Sequence, residues 1–292
     1  MKQQHVDYQV VPYPKLRRII AVMLRSFQRM PMIHGLIEVD VTRVRAHLRE
    51  HKAKTGESLS FTAFLIACLA KAVDEHKAAQ AYRKGRNQLI LFEDVDVNTQ
   101  IEHEMNGQKQ AIVYILRAAN RKTFREIHHE IRVAQGEDVA KAVKGIKALN
   151  SLLSLPTFLL RIGYWVLWWI GRRYPQLMKK YFGTVSLTAV GMFGKGAGWG
   201  IPLAGQTMMT VGGIGEKPAV VDGQIALREY LSLTMSFDHD LIDGAPAARF
   251  TERLKELIES GYGLGDSTVE SEQAGAEGAS TQKVDATRNA LP

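Results

Sequence analysis

The amino-acid sequence predicts an α/β fold built on a mixed sheet, and three features lead there. Residues 35–41 alternate apolar and polar side chains as strands do, and residues 110–116 and 229–237 are rich in strand-forming residues. Between them lie stretches whose apolar residues recur at helical spacing, among them residues 15–30, 60–75 and 244–258. At 292 residues with 46% hydrophobic content, the chain can build a substantial core as one large domain or two small ones.

Residues 15–30 read as a basic amphipathic helix, because Ile19, Ile20, Met23, Leu24 and Phe27 share one face; Pro31 ends it. After the strand at 35–41, Thr42 is placed to cap a helix running to about Lys54, with Gly56 as the break. Residues 60–75 form a more apolar helix that holds the single cysteine, Cys68, which reads as a buried small hydrophobe and not a nucleophile. Strands follow at 88–98 and 110–116, separated by the turn Asn106-Gly107, and then a charged helix from Lys122 to about Leu149.

Residues 151–170 are unusual. Trp165, Trp168 and Trp169 crowd there with leucine, isoleucine, phenylalanine and tyrosine. A spanning helix needs about twenty mostly apolar residues, but Pro156, Arg161 and Gly163 interrupt this stretch, and Arg172, Arg173, Lys179 and Lys180 follow. The composition suits a segment lying in a membrane interface or lining an apolar pocket, and equally an internal core or oligomer contact.

A strand at 184–190 comes next, then a glycine-rich loop at 191–200, a strand at 206–212 and two more strands ending at 229–237. The last helix begins at Gly244, with Pro246 in its first turn and Phe250, Leu254, Leu257 and Ile258 on one face. Residues 266–292, rich in Ser, Gly, Ala, Thr and Glu, are expected to be disordered. The domain division is therefore 1–265, with an apolar insertion at about 151–180, and an acidic tail at 266–292.

The net charge is +8, and the tail, with five acids and two bases, leaves +11 on the body. Such a body suits an acidic ligand, an anionic membrane surface or nucleic acid. Zinc-finger spacing, an RNA-binding aromatic signature and basic repeats are all missing from the sequence, which sets nucleic acid aside. His128-His129 lacks metal-ligand spacing, and no metal is expected. Residues 194–200 lack the Lys-Ser/Thr ending of a phosphate loop and residues 212–215 lack dinucleotide spacing, so both read as turns. One cysteine and a start unlike a signal peptide lead to a cytoplasmic expectation, extended to peripheral membrane by the apolar insertion.

Chemistry concentrates at His239, which follows a strand and precedes a helix, so its imidazole can be held rigidly at the edge of a cleft. Asp243 is placed to orient that turn, to stabilise charge on His239, or simply to cap the helix. Spacing alone leaves a purely structural histidine open.

His-x-x-x-Asp-Gly, from His239 to Gly244, is the signature of the chloramphenicol acetyltransferase-like superfamily. Residues 209–221 and 231–250 resemble the catalytic domain of the acyltransferase component of 2-oxo acid dehydrogenase complexes. Residues 183–194 resemble that family's strand carrying an oxyanion-binding hydroxyl, and residues 17–23 and 31–42 its opening helix and first strand. The resemblance covers most of residues 17–265. It implies a chloramphenicol acetyltransferase-like mixed-sheet sandwich, assembled as a homotrimer or larger homo-oligomer with active sites between subunits.

It also implies a CoA thioester as substrate, His239 as the base that removes a thiol proton, Asp243 as its structural partner and Thr188 as the oxyanion hydroxyl. Ser186 projects from the same face of the strand as Thr188, and an ordinary strand role stays open for both. The resemblance also suggests that Arg17 or Arg18 pairs with Asp243, against the preferred reading of a basic, solvated helix face, and His34 reads as packing. Residues that would bind a cofactor are not assigned.

Three departures accompany the resemblance. Asp240 stands where the family has arginine, residues 101–110 are polar where it has an apolar strand, and the tryptophan-rich segment resembles nothing in it. Lipoyl and partner-binding domains are not recognisable, so no covalently attached lipoyl group is expected on this chain. The expectation is a free-standing, acyl-CoA-dependent acyltransferase acting on a hydrophobic or lipid substrate. Its alternatives are a catalytically silent trimeric scaffold and a dehydrogenase-complex core subunit using lipoyl domains supplied in trans.

Overall fold

The computed structural model describes residues 8–27, 30–105, 108–136, 156–189, 196–203 and 205–265. In chain order the elements are α1 (Lys15–Phe27), β1 (Met32–Asp40), α2 (Thr42–Thr55), α3 (Phe61–Glu75), β2 (Tyr82–Lys84), β3 (Gln88–Ile90), β4 (Val97–Met105) and β5 (Gln108–Leu116). They continue with α4 (Phe124–Gly136), α5 (Thr157–Arg173), α6 (Pro175–Phe182), β6 (Val185–Ala189), β7 (Met208–Val221), β8 (Gln224–Asp238) and α7 (Gly244–Ser260). Six strands form one mixed sheet in the order β1-β8-β7-β6-β4-β5, in which β6 runs parallel to both β4 and β7 and the other pairs are antiparallel. The expected α/β mixed-sheet class holds.

Period-two alternation gives this sheet two chemically different faces. Val39, Leu231, Leu233, Met235, Phe237, Met209 and Leu187 are buried on one face, which α7 covers with Phe250, Leu254 and Ile258, the helix itself packing on α3 and β1. Helix α3 is buried on nearly all sides from Ala63 to Ala70, as its all-round apolar sequence requires. Ser60 caps it, its Oγ accepting from the Ala63 N–H at 3.2 Å. The opposite face carries hydroxyls and amides in two register rows: His34, Ser236, Met208, Ser186, Asn98, and Leu36, Thr234, Thr210, Thr188.

Several boundaries differ from the sequence reading. The strand expected at 88–98 divides into β3 and β4, because the chain bends to bury Asp96; its carboxylate accepts from Arg117 at 2.8 Å and from the Ala118 N–H at 2.9 Å. Thr42 is the first residue of α2 and does not cap it; its hydroxyl donates to Asp40 and accepts from the Glu229 N–H, tying α2 to β8. The strand at 206–212 and the one expected after it are a single β7, carrying a bulge between Val211 and Ile214.

Glycines 212 and 213 lie in that bulged strand, not in a turn. A Cβ on Gly213 would sit 1.9 Å from the Gly196 carbonyl oxygen, and one on Gly212 2.1 Å from that of Gly198, so the strand lets the 196–203 segment cross against it. Helix α5 runs unbroken through Arg161 and Gly163, with Pro156 in front of its first turn. No helix among the described residues is long and apolar enough to cross a membrane. The turn at Asn106-Gly107, the continuation of α4 to Leu149 and the tail at 266–292 lie outside the described residues.

Candidate active site

β8 delivers His239 to the end of the sheet, and a tight turn holds it there. The His239 N–H donates to the Pro31 carbonyl at 2.8 Å, while the Asp238 carbonyl accepts from the N–H groups of Leu241 and Ile242 at 3.0 and 3.1 Å. The Asp238 carboxylate accepts from the Asp240 N–H at 3.0 Å, and the buried Ile242 side chain anchors the far end. His239 thus stands on a backbone fixed on both sides, with an imidazole 43% exposed.

Asp243 occupies the position before α7, but its side chain makes no capping hydrogen bond. Its carboxylate instead lies 3.8 Å from Nδ1 of His239, beyond hydrogen-bond length, and is 87% exposed. Arg17 and Arg18 are exposed on α1, which packs along α5 and not over the start of α7, and neither has an ion pair with Asp243 among the described residues.

Thr188 lies on β6, in register with Thr210 and Thr234. His239 is five residues past Thr234, about 16 Å along the strand direction and two strands across. One chain therefore does not bring His239 and Thr188 together. Ser186, two residues before Thr188, is already engaged: its Oγ accepts from Gln206 Nε2 at 2.6 Å. Gln206 Oε1 in turn accepts from the Tyr82 hydroxyl at 2.8 Å, and burial pushes the Tyr82 phenol pKa up, keeping it a donor.

Beside the His239 turn opens a cavity of about 650 Å³. Asp238 and Asp240 line it on one side, Tyr164, Trp165 and Trp168 of α5 on another, and Gln206 and Thr207 at the start of β7. Burial pushes the Asp238 carboxyl above its ordinary range, the nearby Asp240 charge adding to the effect. Asp240 faces Arg83 of β2, Oδ2 to Nη1 at 3.9 Å.

The remaining candidates have structural roles. His34 Nδ1 is 2.8 Å from Ser236 Oγ on the polar sheet face. Burial pushes the Cys68 thiol up, out of reach of nucleophilic chemistry. A second hollow, of about 550 Å³, is lined by Glu57, Arg125, His128 and His129. Several of its polar groups are already engaged, Glu57 taking Arg125 at 2.6 Å and His51 at 3.0 Å and His128 Nδ1 accepting from the Ser60 N–H, while Arg125 Nε is buried without a partner among the described residues. Among the described residues no cluster of three His, Cys, Asp or Glu side chains is placed to hold a metal ion.

The family model for the 2-oxoacid dehydrogenases acyltransferase catalytic domain matches residues 5–144 and 175–264. The chain belongs to this family. It is 26% identical over 262 residues to the lipoamide acyltransferase component of the branched-chain alpha-keto acid dehydrogenase complex of Bacillus subtilis, covering 86% of this chain and 52% of that protein. With the dihydrolipoyllysine-residue succinyltransferase component of the 2-oxoglutarate dehydrogenase complex of Bartonella vinsonii it shares 27% identity, over 88% of this chain and 55% of the relative. The chain thus spans about half the length of these curated relatives. The crystal structure of a probable dihydrolipoamide acetyltransferase from Listeria monocytogenes superposes with a TM-score of 0.63 at 23% identity, covering 87% of this chain and 95% of that one, a likeness of fold.

Within this acyltransferase family the two local peculiarities of the chain acquire a position. The family match skips residues 145–174, and α5 lies wholly inside that gap. Asp240, read from the sequence as a reversal of the family's charge, has an arginine opposite it in Arg83. Sequence reasoning missed Arg83, Tyr82 and Gln206, which reach the site from β2 and from the segment before β7. Nothing in their local pattern marks them, and Asp238, just before the motif, was not singled out either.

Proposed function

We propose that this chain is a CoA-dependent acyltransferase with His239 as its base. The observation that carries the reading is the fixed strand-end turn that presents the His239 imidazole to solvent with Nδ1 turned towards Asp243. Nε2 takes the proton of the acceptor thiol, the sulfur forms a bond to the thioester carbonyl carbon, and a tetrahedral oxyanion results. Collapse breaks the bond to the CoA sulfur, which leaves with the proton returned from His239.

Thr188 of a neighbouring copy supplies the hydroxyl that donates to the oxyanion, a contribution of roughly 3–4 kcal/mol to the barrier for donors of this kind. Homotrimers or larger homo-oligomers follow as the assembly, because the two groups are too far apart within one chain. Asp243 positions the imidazole. The cavity walled by α5 supports a hydrophobic or lipid substrate, and the outward residues Phe158, Ile162 and Trp169, each more than half exposed and followed by Arg172 and Arg173, support contact with an anionic membrane surface.

The test is release of free CoA thiol from acyl-CoAs of increasing chain length, with thiol, hydroxyl and amine acceptors, by the wild type and His239→Ala. Turnover that the variant loses supports the reading; a variant as active as the wild type removes His239 from it. A second reading is favoured by the match to the catalytic half of lipoamide-dependent relatives: the acceptor is a dihydrolipoyl group carried on a separate domain. Transfer to free dihydrolipoamide at a rate exceeding all other acceptors selects it.

A further inference from the structure

Residues 145–174 separate the two blocks of the family match, and the helix within them, α5, forms one wall of the cavity next to His239. The chemistry of that cavity is divided. Tyr164, Trp165 and Trp168 make an aromatic side, and Val22, Leu241 and Ile242 add aliphatic surface. Against this apolar surface stand Arg25, Arg83, Arg161 and Arg172, while the only carboxylates in the lining are Asp238 and Asp240. Arg83 is held by Asp240, and the Arg172 guanidinium stacks over Trp168, 4.7 Å from the ring centroid. Arg25 and Arg161 have neither an ion pair nor a hydrogen-bond partner among the described residues.

Arg25 and Arg161, exposed where they line the cavity, offer two unpaired cations to an anionic group, whereas a small anion alone would leave the aromatic wall facing water. The ligand that satisfies both is an apolar chain ending in an anion. At about 650 Å³ the cavity falls within the range of small-molecule sites.

We propose that this cavity binds a long-chain acyl group bearing an anionic head, a fatty carboxylate or the phosphates of a fatty acyl-CoA, and that α5 sets the chain length delivered to His239. The binding site stands on the cavity alone; the delivery rests on the acyltransferase reading above.

The full chain is titrated with octanoate, decanoate and dodecanoate, following tryptophan fluorescence and heat release. Saturable binding is expected that tightens roughly tenfold for each two methylenes added, at about 0.8 kcal/mol per methylene. Trp168→Ala and Arg161→Gln are each expected to weaken decanoate at least about fivefold, with thermal midpoints close to wild type because both side chains are exposed. Decanol, which has the chain without the charge, is expected to bind at least about tenfold more weakly than decanoate. A non-hydrolysable decyl-CoA thioether separates the two heads: tighter binding than decanoate assigns the acyl-CoA, weaker binding the free carboxylate.

Affinity independent of chain length, or unchanged in both variants, overturns the proposal. Failure here is distinguishable from failure of the acyltransferase reading. Acetyl-CoA turnover without fatty-acid binding sinks this inference alone, and fatty-acid binding without turnover of any thioester leaves the site while sinking the reading of His239.

Discussion

Thr188 on β6 and His239 past the end of β8 cannot meet within one chain: Thr188 is in register with Thr234 through Thr210, and His239 follows Thr234 by five residues, just beyond the strand. An active site using both must draw them from two copies. Thr188→Ala and His239→Ala chains, each nearly inactive alone, are therefore expected to complement when co-assembled. In random one-to-one mixtures about a quarter of the interfaces receive an intact histidine from one copy and an intact threonine from the next. Recovery of roughly that fraction of wild-type thiol release is the expected result; no recovery in assemblies proven to be mixed would show that Thr188 and His239 do not share a site.

Replacing His239 and Asp243 should have unequal effects. Loss of a general base costs typically about 10²–10⁴-fold, and that is the expected fall in kcat for His239→Ala. Asp243 is exposed and 3.8 Å from the ring, the geometry of a weak surface pair. Asp243→Asn is expected to lower kcat by no more than about tenfold. A loss as large as that of His239→Ala would mean that the two close into a tight hydrogen bond once substrate is bound.

Much of this architecture was legible locally, and the exceptions share a cause. The alternation of 229–237 and the apolar face of Phe250, Leu254, Leu257 and Ile258 translate directly into β8 and the buried side of α7, because each depends on one element meeting one core. The glycines at 212 and 213 resembled a turn because their requirement is set by the carbonyls of Gly196 and Gly198, a contact that local sequence does not encode. Asp96 interrupted an apparently continuous strand for a similar reason: its partners Arg117 and Ala118 arrive from the residues just after β5. In the site, His239 and Asp243 were readable as one motif, whereas the cavity is assembled from α1, β2, α5 and the approach to β7, which no spacing rule connects.

Asp238 predicts a pH dependence of stability. Burial raises its carboxyl pKa in the folded chain above the ordinary value of 3.8, so the folded state holds that proton more tightly than the unfolded one. Its favourable contribution is complete below 3.8 and is lost as pH rises through the raised value. Asp238→Asn retains an oxygen for the Asp240 N–H and removes the charge. The variant is expected to melt above wild type at pH 7, with the gap closing towards pH 4. Thermal midpoints measured across that range decide it: a gap constant with pH, or of the opposite sign at pH 7, contradicts the assignment.

The threonine row on the polar sheet face yields the last prediction. Thr210 and Thr234 are 2% and 0% exposed, and the hydroxyls of both lack a hydrogen-bond partner among the described residues. An unpaired buried hydroxyl costs roughly 1–3 kcal/mol, while valine has nearly the same shape without that polar group. Thr210→Val is expected to stabilise the fold by about 1 kcal/mol, raising the midpoint by roughly 2–4 °C in a domain of this size. Ser186→Ala, which removes an acceptor bonded at 2.6 Å by Gln206, is expected to change it in the opposite direction. If Thr210→Val destabilises as Ser186→Ala does, the Thr210 hydroxyl is paired in solution, by water or by a neighbouring copy. If it stabilises but lowers turnover, the oxyanion donor is Thr210 and not Thr188, since a change confined to packing would not separate stability from rate.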